Sequence, residues 1–375
     1  MAQKILQTGL SAGMSAVSGF HSSKPHKISE DYDGLQHVLP DSFKPSLESR
    51  YTLRGRNGQD VHVPLISWGA WSWGDTSTFH WSDDELPALR QAWQRCIETG
   101  MTFVDTAQVY GSGKSEEILG DLINNHSSGI DRSKIFVQTK WLPNVTDQAT
   151  NALHPVDAPV KELRNTLDRM RLQYVDSYMV HGPIHLSSIK QVAKGLAKCV
   201  EDGMTKAVGV ANYSVDDMLK MKEALAEYGI PLATNQCEFS ILRRLPETEG
   251  MLEACRKNDI VFQAYSSIAQ GRLSGKYDID NPPPKEYRFS SYDMKHVQPA
   301  IDELRLLGQK YGVSAASVAI NWVICKGALP VVGMRKESQA QEDIAALGWR
   351  LTNEEIAKLD SLGFEGKTTK LWQQG

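Results

Sequence analysis

The sequence predicts an α/β chain folded as a (β/α)8 TIM barrel, with extra C-terminal helices and a long seventh βα loop. Three observations predict it. From about residue 60 onward, short runs rich in β-branched and aromatic residues alternate with longer amphipathic ones, the pattern of repeated βα units on a parallel sheet. Eight such runs are present, enough to close a barrel. The first βα turn reads Gly69-Ala70-Trp71-Ser72-Trp73-Gly74, where an open, doubly wound nucleotide-binding sheet usually carries G-x-G-x-x-G.

Taken in order, the expected strands cover residues 63–68, 102–106, 135–139, 175–181, 206–211, 233–237, 260–265 and 329–332. The helices expected between and after them cover 83–99, 115–124, 159–171, 189–202, 215–228, 247–257, 298–311 and 338–347. In the first helix Leu86, Leu89, Trp93 and Ile97 recur at spacings of three and four, so one face is apolar. Two further helices are expected at 315–325 and 353–362. The seventh connection, from Ser266 to about Val297, carries Asn281-Pro282-Pro283-Pro284 and is too long for a bare linker; such loops often serve as lids. Residues 1–58 read as a partly disordered N-terminal extension, and 59–375 as the barrel with its C-terminal tail.

Composition narrows the function classes. The chain has 41 basic and 45 acidic residues, a net charge of −4, and no long run of either sign, so neither nucleic acid nor a membrane surface is an expected partner. No stretch approaches the ~18 consecutive apolar residues of a bilayer span. The expected location is cytoplasmic, although residues 1–29 hold Lys4, Lys24 and Lys27 with no acid, a faint likeness to an organelle leader. Cys96, Cys199, Cys237, Cys255 and Cys325 are odd in number and scattered, which points to reduced core thiols and to no metal site.

In a βα barrel, reacting groups sit at the C-terminal ends of strands. Asp105, Lys140 and His181 end the second, third and fourth expected strands, and Tyr110 follows Asp105 by one loop turn. Strands ~4.8 Å apart bring such groups over one small site. A free phenol, with its pKa of ~10, is a feeble acid at neutral pH, and a nearby ammonium is expected to lower that value. Lys140 supplies the ammonium, Asp105 keeps it charged and in place, and His181 orients a carbonyl oxygen. Each residue alone has an ordinary reading as an ion pair or packing group; their joint placement favours proton transfer. Two decoys lie in the same stretch. Tyr110-Gly-Ser-Gly-Lys114 has the Tyr-x-x-x-Lys form of short-chain dehydrogenases, and Gly113-Lys114-Ser115 ends like a P-loop, but neither has the required glycine context.

The runs Phe103-Val-Asp-Thr-Ala-Gln-Val-Tyr-Gly-Ser-Gly-Lys-Ser-Glu116, Gln138-Thr-Lys140, Met179-Val-His-Gly182, Gly209-Val-Ala-Asn-Tyr-Ser214, Asn235-Gln236 and Pro330-Val-Val-Gly333 resemble the aldo-keto reductase superfamily, in order and spacing, over about residues 60–362. The resemblance implies a (β/α)8 barrel that reduces an aldehyde or ketone to an alcohol with NADPH, leaving NADP+, and a catalytic tetrad of Asp105, Tyr110, Lys140 and His181. It implies that Asn212 and Gln236 hold the nicotinamide carboxamide, that Tyr265 stacks on the ring, and that Ser266, Ser267, Ile268, Ala269, Gln270 and Lys276 line the pyrophosphate. Gly333, Arg335, Gln339, Glu342 and Asp343 would hold the adenosine end, with Arg335 or Lys336 near a 2′-phosphate, and a guanidinium suits a phosphate. Trp71, with Tyr110 and His181, would meet the substrate and border the cofactor.

The sequence also departs from the family's pattern. Ala211 stands where many members have serine, Asp343 where Asn is usual, and Gln339 where some branches use Arg. The last loop and Lys276 look more like the branch containing potassium-channel β-subunits and microbial reductases. Two other readings follow from that branch: a regulatory NADP-binding barrel, against which an intact His181 argues, and a reductase of pyridoxal-type aldehydes. A Schiff-base enzyme using Lys140 is a third, opposed by the Asp105 partner. Trp71, Trp73, Trp81 and Trp141 fall near strand ends, where each either joins an aromatic rim or packs into the core, and the tail Lys370–Gly375 is apolar enough to fold back over the mouth or else frays.

Overall fold

The computed structural model describes residues 33–127, 129–142, 153–284 and 292–365; the leader 1–29 and the tail 370–375 lie outside the described residues. Eight parallel strands close a barrel: β3 (Ser67–Gly69), β4 (Phe103–Asp105), β5 (Phe136–Trp141), β6 (Val175–Val180), β7 (Thr205–Ala211), β8 (Leu232–Glu238), β9 (Val261–Tyr265) and β10 (Leu329–Gly333). Closure is made by β10 on β3, with Val331, Val332 and Gly333 beside Ser67, Trp68 and Gly69. The (β/α)8 expectation therefore holds.

The expected first strand does not exist as one element. Val63 to Trp68 is apolar apart from Ser67, but the chain leaves β2 (Val61–Pro64) at Pro64 and starts β3 at Ser67. β2 pairs antiparallel with β1 (Arg50–Leu53), and this hairpin plugs the lower end of the barrel. Leu53, Val61 and Val63 pack there against Phe103, Ala207, Ala233, Leu329 and Val331, so the floor is apolar and closed.

The outer ring consists of α1 (Leu86–Thr99), α2 (Lys114–Asn125), α3 (Asp157–Met170), α4 (Ile189–Glu201), α5 (Val215–Ala226), α6 (Met251–Lys257), α7 (Met294–Tyr311) and α9 (Glu337–Ile344), with α8 (Ala315–Cys325) and α10 (Asn353–Ser361) added. Local chemistry sets their ends. Ser188 and Gln191 form a capping box that starts α4, and Gly100 in the left-handed conformation stops α1. Two expectations shift. The helix expected over 247–257 is a separate turn, Leu245–Thr248, and then α6, because Gly250 at φ 81° breaks the ladder. α7 starts at Met294, with Asp293 as its cap, and carries Pro299 in its second turn.

All five cysteines are buried free thiols in or beside this core. Among the described residues no helix is long and apolar enough to cross a membrane, and no cluster of three or more His, Cys, Asp or Glu side chains is placed to hold a metal.

Candidate active site

Side chains two residues apart on a strand share a face, so Phe103 and Asp105, Gln138 and Lys140, and Gln263 and Tyr265 all project into the barrel. The lower layer is apolar and the upper one polar. In the upper layer Lys140 Nζ donates to Asp105 Oδ2 at 2.6 Å, to the Thr106 carbonyl at 3.0 Å and to Tyr110 Oη at 3.2 Å. Tyr110 Oη lies 3.5 Å from His181 Nε2. The four residues, taken from three separate stretches of sequence, are thus in one continuous chain of polar contacts.

Tyr110 reaches this point because the chain doubles back immediately after it. Gly111 at φ 54° and Ser112 at φ 57° are both left-handed, and a Cβ on Gly111 would stand 2.8 Å from the Gly74 carbonyl carbon and oxygen. Ser115 donates to the Ala70 carbonyl at 2.8 Å, tying the first and second βα loops together. This is the serine of the P-loop decoy. The decoy's lysine, Lys114, is on the surface beside Glu117.

Electrostatics modify one expectation. The Tyr110 phenol is pushed up from its ordinary value: burial raises it most, and Asp105 adds to that, against the lowering by Lys140. The ammonium alone does not make it acidic, because burial of the phenol outweighs it. Lys140 is raised: burial opposes its charge, but Asp105 and Tyr110 together outweigh burial. His181 is held well below the ordinary histidine range, first by burial and then by Lys140, so its imidazole is neutral.

Beneath the tetrad is a network missing from the sequence expectations. Asp105 Oδ1 accepts from Gln138 Nε2 at 2.7 Å and Gln236 Nε2 at 3.1 Å. Gln263 Oε1 accepts from both of these amides, at 2.7 and 2.8 Å, and Gln263 Nε2 donates back to Gln138 at 2.9 Å. Three buried glutamines therefore fix the Asp105 carboxylate. The available signal was a glutamine on the inward-facing register of two strands, two residues below Lys140 and Tyr265.

A cavity of about 430 Å³ opens above Tyr110 and His181 and runs across the barrel mouth to α9. Of the expected cofactor residues, Trp71, Asp105, Asn212, Gln236, Tyr265, Ser266, Ser267, Ile268, Gln270, Lys276, Gly333, Arg335, Gln339, Glu342 and Asp343 line it. Ala269 does not; it is buried in the core at φ 49°. Lys140 sits behind Tyr110. Asn212, left-handed at φ 61°, donates to the His181 carbonyl at 3.1 Å and accepts from Tyr265 Oη at 2.9 Å.

Of the four candidate rim tryptophans only Trp71 lines the cavity. Trp73 is buried and donates to the Met334 carbonyl, Trp81 lies under Arg335, and Trp141 is buried with His185 stacked on it. Phe79 and Tyr277 take their places in the wall, with Phe79 edge-on to Trp71 at 5.0 Å.

The protein-family model of the aldo/keto reductase family matches residues 65–363. The chain belongs to this family. It is an oxidoreductase of the aldo-keto reductase type. Among similar proteins, the chloroplastic pyridoxal reductase of Arabidopsis thaliana is 28% identical over 80% of this chain and 83% of its own. The aldo-keto reductase YhdN of Bacillus subtilis is 27% identical over 80% and 90%. Among solved structures, a glycerol dehydrogenase from Gluconobacter oxydans superposes with a TM-score of 0.68 at 27% identity, covering 83% of this chain and 94% of that one. Within this aldo-keto reductase barrel the matched region begins at Leu65, just before β3, so the plugging hairpin precedes it.

Proposed function

We propose that this chain reduces an aldehyde or ketone to the alcohol with NADPH, and that Tyr110 gives the proton. The observation that carries the reading is the 3.2 Å contact from Lys140 Nζ to the Tyr110 hydroxyl, with Asp105 behind the ammonium and His181 beside the phenol. The bound nicotinamide supplies the hydride to the carbonyl carbon.

The residues lining the cavity suit that cofactor. Asp343 is buried and its Oδ2 has no hydrogen-bond partner, a fit for an exocyclic amine donor at the adenine end. Ser266, Gln270 and Gly271 are left-handed, a backbone form that aims amide groups into anion-binding concavities. Arg335 offers a planar fork that matches a 2′-phosphate. Asn212 and Gln236 line the cavity beside the tetrad, where the carboxamide would be held.

His181, neutral and 3.5 Å from the phenol, positions the carbonyl oxygen by hydrogen bonding. Tyr110 holds its proton at rest because burial raises its pKa, and releases it as negative charge grows on that oxygen. Lys140 then faces a phenolate that it stabilises through the existing contact. The product is the alcohol, and the Tyr110 proton is restored from Lys140 or solvent.

A charged, fully buried Lys140 held at 2.6 Å by Asp105 argues against a Schiff-base mechanism, since an attacking amine must be neutral. The intact His181 argues against a purely regulatory barrel. For the substrate, Trp71 and Phe79 favour a flat or apolar carbonyl compound, and a pyridoxal-type aldehyde fits that class. The test is NADPH oxidation against a panel of aldehydes and ketones. Tyr110→Phe should lower turnover by about 10²–10⁴-fold, with NADPH binding intact by fluorescence titration. An unchanged rate would remove Tyr110 as the donor.

A further inference from the structure

Arg335 lines the cavity, yet its guanidinium is already engaged. Nε donates to Glu85 Oε2 at 2.7 Å, Nη2 donates to Glu85 Oε1, and Nη1 donates to the Phe79 carbonyl at 3.2 Å. The guanidinium also lies 5.6 Å over the Trp81 ring. Glu85, Phe79 and Trp81 all come from the connection between β3 and α1, so one side chain of the last βα loop is clamped by the first.

We infer that Glu85 is a specificity-determining residue for the cofactor, an internal competitor for the arginine that meets the 2′-phosphate. The inference rests on the placement of Arg335 proposed above. A carboxylate and a phosphate present the same paired acceptors to a guanidinium fork, so Arg335 serves one or the other on that edge. The two side chains are 24% and 29% exposed, open enough to exchange without disturbing the core. Arg335 has to leave Glu85 to grip a 2′-phosphate, but keeps it when the cofactor carries a hydroxyl there. Glu85 therefore weakens NADPH binding selectively and narrows the preference over NADH.

Glu85→Gln tests this cleanly. The glutamine keeps the capping box in which Ser82 N donates to the side-chain oxygen of residue 85, so the 3-10 turn Asp83–Glu85 that leads into α1 is retained. Dissociation constants for NADPH and NADH are measured by fluorescence quenching at low salt, in native protein, Glu85→Gln and Arg335→Ala. NADPH should bind Glu85→Gln about three- to tenfold more tightly, the range of a partly exposed bidentate pair, with NADH unchanged. An unaltered or weakened NADPH affinity, or an equal gain for NADH, overturns the inference. Arg335→Ala separates the two levels. If it abolishes the NADPH preference while Glu85→Gln is silent, Arg335 meets the phosphate but Glu85 does not compete. If it leaves the preference intact, the placement of Arg335 fails and the role of Glu85 with it.

Discussion

The Lys140 ammonium lies 2.6 Å from Asp105 Oδ2, and both groups are shut away from water. Removing one partner of such a pair leaves an unpaired buried charge. Asp105→Asn should therefore cost about 3–5 kcal/mol of stability at neutral pH, read by chemical denaturation. The Lys140 contribution is fully present below its ordinary pKa of 10.5 and is lost as pH rises through its raised folded value. With Asp105→Asn, burial is less opposed, so Lys140 should titrate lower and the alkaline limb of the rate profile should move to lower pH. Asp105→Leu combined with Lys140→Met should recover most of the stability and none of the activity.

His181 should be silent in the pH–rate profile near 6.5. Its folded pKa lies well below the ordinary value, so its stability contribution is present above pH 6.5 and is lost as pH falls through the folded value. His181→Asn should flatten the acid side of a melting-temperature curve and lower kcat/KM across the whole range. A histidine-like inflection near pH 6.5 in the native enzyme that vanishes with this substitution would contradict the neutral imidazole.

Asp343 is a carboxyl group raised well above its ordinary range, first by burial and then by Glu342. Its neutral form is favoured in the fold, so its contribution is fully present below pH 3.8 and falls as pH rises through the raised value. Asp343→Asn should stabilise the cofactor-free protein at neutral pH, because the amide neither buries a charge nor has to take up a proton on folding. That gain should disappear in acid, and thermal melts at several pH values check both signs.

Gln263→Leu takes one acceptor from each of the Gln138 and Gln236 amides, which keep Asp105, and removes the donor to Gln138 Oε1. A loss of about 1–3 kcal/mol in stability is expected, together with a fall in kcat that Gln263→Glu does not repair. Because Gln263 is below the cavity floor, KM for the carbonyl substrate should change far less than kcat. Parallel shifts in both constants would mean that the substrate pocket itself has collapsed.

The alternation of strands and helices and the strand-end tetrad were legible because both follow from periodicity and from where a barrel keeps its reacting groups. The expected strand over 63–68 failed where apolar residues run on almost without a break: Val63 belongs to the floor plug and Trp68 to the barrel wall, and a run interrupted only by Ser67 hides the corner between them. The helix expected over 247–257 failed for the opposite reason, since the break rests on one left-handed glycine. The tetrad contacts were anticipated; the direction of the Tyr110 shift was not, because desolvation depends on what surrounds the phenol in three dimensions. Arg335 was assigned to a phosphate from residue type alone. Its grip on Glu85, 250 positions away, has no local signature.

The hairpin that seals the lower end of the barrel is assembled from chain that precedes the first barrel strand. A truncated chain begun at residue 59 would split it, leaving β2 with a bare edge and uncovering the ring of Phe103, Ala207, Ala233, Leu329 and Val331. Such an edge beside an apolar patch invites association between copies. The smallest autonomous unit of this protein therefore starts no later than Arg50, and shortening it beyond that point should trade a monodisperse barrel for an aggregating one even though every tetrad residue is retained.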